Sequence, residues 1–246
     1  MINNNPTKEL LGGKTYNQIN EDILQYQNMF FGGNKMNIPT YLSTGNDTLN
    51  SLLNGGYKRG ALTEISGATD TGKTLLALTA TKEVQKEDKV AIYIDASCRL
   101  QRNNLLENEI DEDGIIIIRP TSIEELGPML SILVKEHIDS IGLIIIDSLA
   151  DLSTKKEQES SLSTNTDVHR SKVIKALLTR IANLVRNSEA CAIILNQNRS
   201  SFEGDAMQVV STSERWIQMT CDARLSLSLD EEGDVCVEVS FKNKLT

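Results

Sequence analysis

The run Gly67-Ala68-Thr69-Asp70-Thr71-Gly72-Lys73-Thr74 constrains this chain more than any other feature. It matches the pattern G-x-x-x-x-G-K-[ST]. The glycines let consecutive backbone N–H groups turn inward around a phosphate chain. The Lys73 ammonium suits the terminal phosphate oxygens, and the Thr74 hydroxyl can hold Mg²⁺. Such a loop works between a strand and a helix. Ala61-Leu62-Thr63-Glu64-Ile65 reads as the strand, and Thr74-Leu75-Leu76-Ala77-Leu78 reads as the first turns of a helix whose N-terminal dipole favours an anion. A chance Gly-rich turn would lack that order.

The same alternation continues along the chain. Strands are predicted over 61–66, 90–95, 115–118, 142–147, 190–196 and 223–229, and helices over 73–86, 122–138 and 167–187. Strands alternating with helices predict an α/β fold, a mostly parallel sheet flanked by helices. A β-hairpin closes it, from Ala223 to Asp230, through the turn Glu231-Glu232-Gly233-Asp234, and back from Val235 to Phe241. Residues 1–37 are polar and Asn-rich, with one amphipathic helix predicted through Ile19, Ile23, Leu24, Tyr26, Gln27 and Phe30 and ending at Gly32-Gly33. Residues 38–246 form the predicted core.

Aromatic residues are 4% of the chain, so the core must be aliphatic, supplied by runs such as Gly114-Ile115-Ile116-Ile117-Ile118. The formal net charge of −9 argues against a basic surface throughout, while leaving room for local basic loops on nucleic acid. Cys98, Cys191, Cys221 and Cys236 are scattered with no C-x-x-C pair, and read as reduced thiols. With no signal peptide and no apolar run of membrane-spanning length, the expected setting is cytoplasmic, with no membrane partner.

A second nucleotide signal is Leu143-Ile144-Ile145-Ile146-Asp147, a buried strand ending in a carboxylate. In P-loop NTPases such an Asp holds Mg²⁺, directly or through water. A third strand, Ala192-Ile193-Ile194-Leu195, ends in Asn196-Gln197. Polar groups at strand C-termini lie on the ligand side of an open α/β sheet. Other notable residues have plainer readings. His137 falls at a helix–strand junction and His169 opens a helix; neither has a nucleophile or ligand cluster near it in sequence. Trp216 reads as a packing residue, Lys155-Lys156 as a solvated pair, and Asp230-Glu231-Glu232 as a hairpin tip.

Taken in order, these residues resemble the RecA/RadA recombinase family over about residues 18–244. Leu42-Ser43-Thr44-Gly45, Leu49, Gly55-Gly56 and Gly60 look like its lead-in to the phosphate loop. Tyr93-Ile94-Asp95-Ala96 and Ile146-Asp147-Ser148-Leu149-Ala150 resemble its next core strands, Asn196-Gln197-Asn198-Arg199 its "NQxR" segment, Arg224-Leu225 the strand after its second DNA loop, and Lys242-Asn243-Lys244 its "KNK". The resemblance implies an ATP–Mg²⁺ site. It implies that Gln197 couples the γ-phosphate to a DNA loop, and that Lys242 and Lys244 reach the ATP of a neighbouring subunit. It also implies that the N-terminal helix packs on the next protomer of a homo-oligomeric helical filament. Single-stranded DNA would lie against loops near Glu157–Asp167 and Asn198–Ser213, with Arg199 and Arg215 on phosphate and Phe202 against bases. The chain ends soon after KNK, so no C-terminal accessory domain is expected.

The departures from the family pattern are as informative. The family's catalytic carboxylate falls at Ser97, and a hydroxyl cannot accept a proton from water near neutral pH. Asp95 is no obvious substitute, because it shares a strand face with Ser97 but sits a repeat away. The family's adenine-stacking tyrosine falls near Asn104. The first loop, Glu157-Gln158-Glu159-Ser160-Ser161, is acidic. The expected function is therefore a RecA-like protein that forms ATP-dependent filaments on single-stranded DNA for recombination and repair. The alternative is a weakly or non-hydrolysing paralog, an accessory or nucleotide-gated scaffold. Ser97 leaves turnover by this DNA-dependent ATPase design an open question.

Overall fold

Two periodicities account for the layers. In β6 (Ile141–Asp147), Ile144 and Ile146 face one way, while Leu143 and Ile145 face the other. All four are fully buried, so helices must cover both faces, as expected of a central parallel strand. The computed structural model describes residues 39–137, 139–159, 167–186, 188–203, 206–211 and 214–241; the side chains of Lys135, Asp167 and residues 198–211 lie outside that description.

Chain order begins with β1 (Tyr41–Leu42), α1 (Asp47–Leu52), β2 (Tyr57–Lys58), β3 (Leu62–Gly67), α2 (Lys73–Gln85), β4 (Val90–Asp95), α3 (Arg102–Glu107), β5 (Ile115–Ile118) and α4 (Ile123–His137). It continues through β6, α5 (Lys155–Glu159), α6 (Asp167–Arg186), β7 (Cys191–Glu203), β8 (Ala206–Ser211), α7 (Glu214–Thr220), β9 (Ala223–Leu229) and β10 (Val235–Phe241). The main sheet has the order β10-β9-β3-β7-β6-β4-β5. Its pairings are parallel except β9 with β10, which form the predicted hairpin. The α/β fold with a mostly parallel sheet is thus as the alternation predicts.

Leu126, Leu130 and Val134 of α4 and Ile174, Leu178 and Ile181 of α6 cover the face carrying Ile92, Ile144 and Ile194. Ala77, Leu78 and Val84 of α2 cover the face carrying Ile65, Tyr93, Ile145 and Ile193. The isoleucine run of β5 contributes less than its composition suggests. β5 is the sheet's edge, so Ile115 and Ile118 are buried while Ile116 and Ile117 stay exposed.

The segment after Asn196 departs from the sequence reading. Instead of ending in a loop, β7 runs on to Glu203 and pairs antiparallel with β8, Asn198 opposite Ser211 and Glu203 opposite Ala206. Glu157 also differs. Within α5 it accepts from the Thr154 amide at 2.7 Å and pairs with Arg170 at 3.1 Å, so its charge is used within the fold. The predicted N-terminal helix, Lys242 and Lys244 lie outside the described residues.

Candidate nucleotide site

Gly67, Asp95, Asp147 and Gln197 end or lie at the C-terminal ends of β3, β4, β6 and the in-sheet part of β7. Parallel pairing brings them to one sheet edge, Gly67 beside Gln197 and Asp95 beside Asp147. Open α/β sheets bind ligands at this edge. A cleft of about 410 Å³ opens there, lined by Thr69, Asp70, Gly72, Lys73 and Thr74 of the loop and by Ser97, Asn104, Asp147, Asp151 and Gln197 across from it.

The loop's glycines have distinct reasons. Gly72 caps α2 at φ 86°, a left-handed conformation that costs glycine little. A Cβ on Gly67 would sit 2.7 Å from the Leu227 carbonyl oxygen, closer than any real side chain allows. Lys73 extends back over the loop, donating to the carbonyls of Gly67, at 3.1 Å, and Ala68. Burial lowers the Lys73 pKa, while the fields of Asp147 and Asp70 oppose that shift. A triphosphate would give this ammonium further anionic partners.

Thr74 Oγ1 donates to Asp147 Oδ2 at 3.0 Å, and the Tyr93 hydroxyl donates to the same oxygen at 2.6 Å. Burial raises the Asp147 pKa; the two donors pull it back, and Asp95 and Asp151 push it up again. Mg²⁺ prefers hard oxygen ligands and keeps several waters, using one or two protein oxygens beside phosphates. The Thr74 and Asp147 oxygens fit that demand. Sequence reading missed Tyr93, whose strand position two before Asp95 was the available signal.

Asp95 has a structural task. Its side chain is 2% exposed. It accepts from the Arg99 amide at 3.0 Å, the Leu100 amide at 3.1 Å and Arg119 Nε at 3.1 Å. Ser97 lies in the loop so held, its hydroxyl 3.5 Å from Asp95 Oδ1. Asn104 also lines the cleft, and its Oδ1 accepts from the Gln101 amide at 2.8 Å, fixing the start of α3.

Beneath the cleft, Asn196 Nδ2 donates to Glu64 at 2.9 Å, and Arg224 Nε donates to the other Glu64 oxygen at 2.6 Å. Arg224 also grips Glu214 in a two-pronged bond of 2.6 and 2.8 Å. Burial would lower the Arg224 pKa, but its two carboxylate partners outweigh it and raise the value. Glu214 is the first residue of α7, just after the β7–β8 hairpin.

The predicted DNA contacts fare unevenly. The backbones of Arg199 and Phe202 lie in β7 opposite Val210 and Met207, and their side chains lie outside the described residues. Arg215 is exposed, 5.3 Å from the Trp216 ring. Trp216 packs on the core as expected and donates to Ser171 Oγ at 2.6 Å. No helix among the described residues is long and apolar enough to cross a membrane.

The RecA N-terminal domain family matches residues 13–208. "Protein RecA" of Rippkaea orientalis is 32% identical over 202 residues, covering 82% of this chain and 57% of that relative. "Protein RecA" of Mesoplasma florum is 32% identical over 162 residues, covering 65% and 48%, and that of Mycoplasma genitalium 31% identical over 197 residues, covering 78% and 57%. The chain spans about half the length of these curated relatives. Phosphate loop, magnesium-suited oxygens and sheet order therefore have one common explanation: the chain belongs to the RecA family.

Proposed function

We propose that this chain binds ATP–Mg²⁺ and, in its nucleotide-bound state, assembles on single-stranded DNA as a filament serving recombination and repair. One observation carries the reading. Strand β7 runs without a break from Gln197, which lines the nucleotide cleft, into residues 198–203, which pair antiparallel with β8. A γ-phosphate contact at Gln197 thus has a stiff connection to the segment carrying Arg199 and Phe202.

Each cleft residue has a part in that reading. The loop amides from Gly67 to Thr74 and the Lys73 ammonium hold the phosphates. Thr74 and Asp147 hold the magnesium ion, whose chemistry is to neutralise phosphate charge. Lys242 and Lys244 reach a neighbour's nucleotide, and the segment of residues 1–37 that the sequence predicts to form a helix through Ile19 and Phe30 packs on the next protomer. With a net charge of −9, one subunit holds DNA weakly, and affinity comes from many subunits acting together.

Fluorescence anisotropy with labelled single-stranded oligonucleotides tests this, with ATP, a non-hydrolysable analogue or ADP over a salt series. Binding should be cooperative and require the triphosphate. Arg199→Ala should flatten the logarithmic salt slope by roughly 0.7 per lost phosphate contact. No binding at low salt with ATP or its analogue would overturn the DNA reading. Ser97 at the expected base position favours a second reading, a nucleotide-gated accessory protein with little turnover, which predicts the same nucleotide dependence without hydrolysis.

A further inference from the structure

Resting on the ATP-site reading above, we propose that Asp151 supplies the catalytic carboxylate missing at Ser97, acting as general base for ATP hydrolysis. The carboxylates lining the cleft are Asp70, Asp147 and Asp151. Asp147 accepts from Thr74 and Tyr93 and, on that reading, would hold the magnesium ion. Asp70 lies on the phosphate loop itself, between Gly67 and Lys73. Asp95 is turned inward and occupied by Arg99, Leu100 and Arg119. Asp151 alone among these is exposed, off the phosphate loop and free of the metal's oxygens, in the same cleft as Lys73, Ser97 and Gln197.

The turn that carries Asp151 is firmly built, as a catalytic group requires. Leu149 and Leu152 flank it and are buried. The Leu149 amide donates to the Leu195 carbonyl at 2.9 Å, tying the turn to β7. Arg170 donates to the carbonyls of Leu149, Ala150 and Leu152. The Asp151 amide bonds to the Ser148 carbonyl at 3.1 Å, and Ser148 Oγ donates to Asp151 Oδ2 at 2.5 Å. That bond orients the carboxylate and leaves Oδ1 to meet a water.

In the step assigned to it, a water oxygen attacks the γ-phosphorus and forms the new P–O bond. The water's proton passes to the Asp151 carboxylate. The bond from the γ-phosphorus to its bridging oxygen breaks, and ADP leaves with the electron pair on its β-phosphate. Asp151 then returns the proton to solvent, leaving ADP and inorganic phosphate.

The experiment measures ATP affinity by calorimetry and turnover by phosphate release, with single-stranded DNA present, for wild type, Asp151→Asn and Ser97→Glu/Asp151→Asn. Losing a positioned base costs about 10²–10⁴-fold in rate. Asp151→Asn should therefore lower kcat at least about 100-fold while binding ATP within about twofold of wild type. Ser97→Glu in that background should restore part of the turnover by placing a carboxylate elsewhere in the same cleft. Equal kcat in wild type and Asp151→Asn overturns the proposal. So does a wild type that binds ATP without turning it over, an outcome that leaves the nucleotide-gated reading standing. Tighter ATP binding by Asp151→Asn with unchanged kcat would make Asp151 a mere repulsive wall. Absence of ATP binding by the wild type removes the site reading itself.

Discussion

Replacing Arg224 by Met should destabilise this protein more than any other single charge removal near the cleft. Glu64 is fully buried, 0% exposed, and faces Arg224 in register between β3 and β9. The Arg224 side chain is 22% exposed, so water screens the pair poorly. Two losses follow. Glu214, at 27% exposure, loses a two-pronged bond but regains water, a change worth about 0–1 kcal/mol. Glu64 keeps the Asn196 bond and is left as an uncompensated buried charge, and breaking a buried pair costs about 3–5 kcal/mol. The expected total is about 3–6 kcal/mol, a large share of a domain's net stability. Urea unfolding of the nucleotide-free protein should show a lower midpoint with an unchanged slope. The double variant Glu64→Met/Arg224→Met should recover most of the loss, since removing both partners removes the stranded charge. A single-variant cost under about 1 kcal/mol, or a double variant worse than the single, would refute the reasoning.

Lys73→Ala should weaken ATP binding by the worth of one charge-assisted contact, about 1.5–3 kcal/mol; unchanged affinity by calorimetry would contradict the assignment. Asp147 is raised by burial, so its folded value lies above its unfolded one; the nucleotide-free protein should lose stability as pH rises through that folded value. Asp147→Asn should abolish this part of the pH dependence and stabilise the nucleotide-free fold at neutral pH, as read by urea midpoints on either side. Asp95→Ala should cost about 1–3 kcal/mol for the buried Leu100 amide it strands, less for the part-buried Arg99 amide, and loosen the loop holding Ser97, which hydrogen exchange of those amides would register.

The local chemistry of this chain was legible without coordinates. Periods of two and 3.6 residues mark the strands and long helices, and apart from the far end of β7, which runs on to Glu203, these elements formed within a residue or two of their predicted bounds, because those periods follow from backbone geometry alone. The motif from Gly67 to Thr74 was equally plain, and it lies where the pattern places it, between β3 and α2. The short elements α1, α3 and α7 span too few turns to show a period, and the Asn46 side chain that caps α1 by accepting from Leu49 is a signal shared with ordinary turns.

Tertiary structure decided where the carboxylates lie and what they touch. Asp95 stands two residues from Ser97 in the chain, yet its oxygens turn inward to Arg99, Leu100 and Arg119. Asp151 has no motif, and comes into the cleft only because Arg170 and Leu195 hold its turn against β7. Glu64 and Arg224 are 160 residues apart and meet because β9 pairs in parallel beside β3. Parallel strands need long crossovers, so the partners in such a sheet are distant in sequence. A side chain's immediate neighbours can be read from the order of residues; its charge partners across a parallel sheet are set by register, which exists only once the sheet has formed.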